Sequence, residues 1–86
     1  MEYLFTFQNT HDAIRAEKAL EAADVAVYVM SLPSELSDRC GIGLRIESKP
    51  EVAAAQKVLA EQKIAILEIF TVTGELGERK YTSWKN

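Results

Sequence analysis

The chain has one cysteine and one histidine among its 86 residues. A lone cysteine excludes an internal disulfide. It also excludes a dithiol redox enzyme of the Cys-x-x-Cys type, and by itself it makes no metal site. One histidine and one cysteine, with no third orienting group in evidence, argue against a full nucleophile–base–orienter arrangement. There is no basic block, and the net charge is −3. That is a poor match to a phosphate backbone, so no nucleic-acid partner is expected. No apolar run approaches the length of a membrane span, and no membrane partner is expected. The start, "MEYLFTFQNTHD", lacks the basic opening and long apolar run of a signal peptide. The expected location is cytoplasmic. Repeats and low-complexity segments are also lacking. No residue pattern calls for a cofactor, and none makes an independent case for an enzyme.

What is present is an ordinary globular composition, 48% hydrophobic and 27% charged. The length suits one small domain with a thin core. "EYLFTFQ" (2–8) alternates Tyr3, Phe5 and Phe7 with Leu4, Thr6 and Gln8, the period of a strand. "NTHDAIRAEKALEAAD" (9–24) reads as a helix. Asn9 or Thr10 is its cap, Thr10 the favoured one. Asp12 suits the positive end of the helix dipole. Ala13, Ala16, Leu20 and Ala23 form its apolar stripe, with Ile14 on the flank. "VAVYVMSL" (25–32) is apolar and β-branched, hence a second strand. "PSELSD" is a loop, and "GIGLRIE" (41–47) a third strand with Ile42, Leu44 and Ile46 on its buried face. Ser48 and Pro50 open a second helix, with Val52, Ala55 and Leu59 as its stripe and Val58 beside them. "IAILEIFTV" (64–72) is a fourth strand. The charged remainder from Thr73 is expected as an extension (73–86) to a domain spanning 1–72, with a turn and a short extra strand near Tyr81 and Trp84.

The order is βαββαβ. The expected fold is α+β and ferredoxin-like: a four-stranded antiparallel sheet with both helices on one face. Right-handed crossovers put the first strand inside, between the third and fourth, and the second at an edge. The helix-free face then needs cover. Tyr3, Phe5 and Phe7 on it would stack RNA only on a basic surface. The expected cover is a second copy, giving a homodimer through the open face, or a folded-back Tyr81–Trp84 tail.

This topology gives Cys40 an address. It heads the third strand, at the end of the first and beside the first helix start. Asn9, Thr10 and His11 share that end. A helix N-terminus and nearby cations favour the thiolate, the reactive form of cysteine. Arg39 and His11 supply positive charge, while Asp38 and Asp12 oppose it. Backbone N–H groups at 10–12 offer an anion site. Gly41 leaves room for an approaching backbone. Two readings of Cys40 stay open. It is either a small packing residue at the sheet end or a working thiol. Thr10 reads as a cap that also serves an anion, and His11 as a solvent-facing residue or a donor to the thiolate.

Two stretches carry a family resemblance: "FTFQNTHDAIRAEKAL" (5–20) and "PSELSDRCGIGLRI" (33–46). An aromatic strand end meets a Thr-His-Asp-Ala helix start. A Pro, a short loop and a Cys-Gly pair then open a strand. Over residues 3–70 this resembles the bacterial family described as putative selenium/sulfur carrier protein-like. The resemblance implies that Cys40 is the carrier thiol, with Gly41 its neighbour and Thr10 and His11 the helix-start positions. It implies donor and acceptor proteins for sulfur or selenium as partners. The rival expectation is a ligand-binding or dimerising regulatory module in which Cys40 only packs.

Overall fold

Seven elements follow one another in the computed structural model, which describes residues 2–33, 41–74 and 80–84. They are β1 (Glu2–Thr6), α1 (Thr10–Ala22), β2 (Tyr28–Ser31), β3 (Ile42–Ile46), α2 (Lys49–Glu61), β4 (Glu68–Thr73) and β5 (Lys80–Ser83). They build one five-stranded antiparallel sheet in the order β2-β3-β1-β4-β5. The first four strands keep the expected ferredoxin-like order. The short extra strand adds itself outside β4.

The two helices close in the same way, and this explains why two strands start later than the apolar runs suggest. Asp24 and Lys63 follow the helix C-caps with φ of 60° and 59°. Behind each, a buried aliphatic residue donates its N–H back into the last turn: Val25 to Leu20 O and Ile64 to Leu59 O, both at 2.9 Å. This six-to-one closure is the Schellman motif, with its apolar contact between the same residues. The next residues cross from the helix layer to the sheet layer. Residues 25–27 ("VAV") and 64–66 ("IAI") therefore lie outside β2 and β4. The pair is a short local correspondence between the two halves that composition alone does not reveal. Ala23, expected in the apolar stripe, is the exposed C-cap of α1.

The core lies between helices and sheet. Ala13, Ala16 and Leu20 of α1 and Val52, Ala55 and Leu59 of α2 are buried against Phe5, Leu44 and Ile46. Each fully buried large side chain there contributes about 1.5–3 kcal/mol. Tyr3 and Phe7 belong to this same cluster. The aromatic row of β1 thus faces the helices, and this corrects its expected place on the open face. The period of two gave the alternation but not which side the helices take. Trp84, just past β5, meets Tyr3 edge-on, with ring centroids 5.4 Å apart. The tail does fold back, with Trp84 on the helix side and Tyr81 on the open face.

The helix-free face has its own small cluster of Leu4, Leu32 and Val72, flanked by Met30, Phe70 and Tyr81. Gly43 makes it possible. A Cβ there would meet Leu32 Cδ2 at 2.7 Å, Leu4 Cδ1 at 2.9 Å and Phe5 O at 3.0 Å. With hydrogen in that place, Leu32 reaches across β3 to Leu4, which is fully buried. This self-burial reduces the apolar area that was the reason to expect a second copy on that face. At the end of the same face, Arg45 lies 4.9 Å above the Tyr28 ring and 3.4 Å from the Glu2 carboxylate.

Candidate functional site

The candidate site is the end of the sheet where β1 stops and β3 begins. Among the described residues, Thr10, His11 and Gly41 belong to it. Cys40 and Arg39 lie outside the described residues.

Three local facts fix this end. Asn9, in extended backbone, accepts the Asp12 N–H on Oδ1 at 2.8 Å. Asn9 is therefore the cap of α1, which corrects the preference for Thr10. A cap residue must stand just before the first helical φ/ψ, and Thr10 is already inside the helix. Asp12 then pairs with Arg15 at 3.7 Å along the exposed first turn. Thr10 and His11 are both exposed and adjacent in that turn.

The second fact is the closure of the β2–β3 connection. Leu32 donates its N–H to Gly41 O at 3.0 Å. Leu32 and Gly41, on either side of the connection, thus meet at one point of the sheet. The third is register. Tyr3 faces Ile46 and Phe5 faces Leu44. The paired register ends there, at the last turn of chain before α1. β3 thus begins at the end of the sheet where β1 gives way to α1.

Gly41 is exposed, and a Cβ built on it meets nothing within 4 Å. Gly43 is the glycine that packing needs. A glycine inside a strand signals a close approach, and that signal was available in the sequence but pointed two residues past the one that draws attention. At the same end Thr6 is buried on the open face, its hydroxyl donating to Glu68 O at 3.1 Å. Leu67 N–H reaches Thr6 O at 2.8 Å. These bonds tie the start of β4 to the end of β1.

No curated protein and no solved structure matches the chain. A family model does, over residues 2–71, and that span includes Thr10, His11, Arg39, Cys40 and Gly41. The match ends within β4, so β5 and Trp84 lie beyond it. On this match the chain belongs to the family described as "Putative Se/S carrier protein-like".

Proposed function

We propose that this protein carries sulfane sulfur or selenium on the thiol of Cys40. The observation that supports this best is the family match, which spans the Cys-Gly pair and both helix-start positions. Gly41 adds to it, being exposed with open space where a Cβ would stand.

The chemistry needs one thiol. The Cys40 thiolate attacks the outer sulfur of a donor persulfide. A new S–S bond forms on Cys40, the donor S–S bond breaks, and the donor leaves as a thiolate. No net oxidation occurs, and no further reagent is consumed. Delivery is the same exchange in reverse roles, with an acceptor nucleophile taking the outer atom and Cys40 leaving as thiolate. Selenium follows the same route. Arg39, next to Cys40 in sequence, supplies positive charge, and the first turn of α1 with Thr10 and His11 favours the anion. Gly41 gives the donor and acceptor proteins room. The setting is the cytoplasm, where a free thiol persists.

A carrier thiol must be reachable, whereas a packing cysteine is not. The test is the alkylation of Cys40 by iodoacetamide in the native and the urea-unfolded protein. The carrier reading predicts a native rate equal to or faster than the unfolded one. A native rate slowed a hundredfold or more (an order-of-magnitude threshold for a buried, inert thiol) would assign Cys40 to packing instead.

A further inference from the structure

The sheet has two edges, and they differ. β5 opens with Lys80, a charge of the kind that keeps an edge from pairing. β2 reads Tyr28-Val29-Met30-Ser31, and no charge occurs from Val25 through Ser31. Its inner side pairs with β3, and among the described residues nothing pairs with its outer side. Tyr28 and Val29 are 47% and 44% exposed. Tyr28 keeps Arg45 over its ring. An unpaired, uncharged strand edge with half-exposed side chains is a template for strand addition.

Charge says what fits there. Past Asp12, which pairs with Arg15, the charges of α1 divide by flank. Arg15 and Lys18 line a groove with Gln62 and Ile64 on the side of α2. On the other flank Glu21 joins Asp24 around a cleft of about 550 Å³, with residues 25–28 as its remaining wall. Glu17 lies one turn before Glu21 on that same flank. Glu21 and Asp24 have no ion-pair partner among the described residues. The cleft continues directly into the outer edge of β2. A second copy docked by its own β2 would bring another uncharged strand and another acidic flank, with no cation for these carboxylates.

We propose that the outer edge of β2 docks an extended segment of a partner protein in which apolar and basic residues alternate. The segment's main chain continues the sheet. Its apolar side chains lie on the helix-free face beside Tyr28 and Met30. Its Lys or Arg side chains lie on the helix side, their stems over Val29 and their charges toward Glu21 and Asp24. β2 runs on to Leu32, which holds Gly41, the residue after Cys40. The docked segment therefore ends near Leu32 and Gly41. The proposal does not rest on the carrier reading, since strand addition needs no thiol.

The test is an NMR titration of the isotope-labelled full chain with a capped peptide of about eight alternating Val and Lys residues, an ordinary strand length. The controls are the Val/Glu counterpart and the Val/Lys peptide N-methylated at alternate residues. The expected result is amide shifts concentrated in residues 26–32, with both controls about tenfold weaker. The Glu21→Gln, Asp24→Asn double variant should bind about three- to tenfold more weakly, as for two exposed ion pairs. Val29→Lys, an exposed site that should still fold, should also weaken binding. No shifts at millimolar peptide, shifts centred elsewhere, or an undiminished response to the N-methylated peptide would overturn strand addition. Peptide-free shifts in 26–32 that grow with protein concentration would overturn it too, by giving the edge to a second copy.

Discussion

Leu32 donates its backbone N–H to the carbonyl of Gly41 at 3.0 Å, and its side chain crosses Gly43 to reach Leu4. One residue thus closes the connection that carries Cys40 and also seals the helix-free face. The two glycines that flank Ile42 serve different ends, and substitution separates them. Gly43→Ala pushes a methyl into Leu32, Leu4 and the Phe5 carbonyl. We expect a loss of about 1–3 kcal/mol, the usual range for overpacking. Gly41→Ala meets open space and should stay within about 0.5 kcal/mol of the parent. Urea unfolding of both variants checks this. A neutral Gly43→Ala would refute the crossing.

The closures after the two helices hold non-glycine residues in a left-handed conformation, at Asp24 and Lys63. Such a residue costs about 1–2 kcal/mol for an ordinary side chain and less for Asp. Glycine removes the strain but adds freedom to the unfolded chain. Lys63→Gly should therefore stabilise the protein by about 0.5–1 kcal/mol, seen as a raised Tm. Asp24→Gly should gain less.

The two helix starts differ in a way that predicts unequal losses. Asn9 Oδ1 accepts a backbone N–H, whereas Ser48 Oγ donates to Glu51 Oε1 at 3.1 Å. Asn9→Ala should cost about 1 kcal/mol, in line with loss of a side-chain cap. Ser48→Ala removes only a side-chain bond on a half-exposed residue and should cost less. Denaturant midpoints of the pair would reverse this order if Ser48 were the stronger cap.

Trp84 is the chain's one tryptophan, so its fluorescence reports on the strand that lies outside the family match. Its ring packs edge-on against Tyr3, and its backbone N–H donates to Ile69 O at 2.8 Å. Fluorescence and far-UV circular dichroism should give one coincident unfolding curve. Trp84→Ala should cost about 1–3 kcal/mol through the ring pair and lost burial. A fluorescence change well before the main transition would show β5 to be a loosely attached strand.

Much of this fold was legible because its signals are local and periodic. The stripes Ala13-Ala16-Leu20 and Val52-Ala55-Leu59 lie where the helical period puts them. The element order then leaves few ways to close the sheet. What was not legible depends on relations across the chain. The side of the sheet that Tyr3, Phe5 and Phe7 face is decided by where the helices pack, and alternation is blind to that. The first residues of the runs 25–32 and 64–72 look like strand, but a helix end takes them for its closure. At the site, the pairing of β3 with β1 followed from topology. The close approach at Gly43 needed Leu32, eleven positions earlier, to be seen reaching over it.

The central claim is that Cys40 holds a transferable chalcogen atom. The measurement that meets it most directly is the intact mass of the protein after incubation with a persulfide donor and removal of excess reagent. The account predicts a gain of one sulfur atom per chain, absent in Cys40→Ser and stripped by cyanide as thiocyanate. No gain, or a gain that persists in Cys40→Ser, would contradict it.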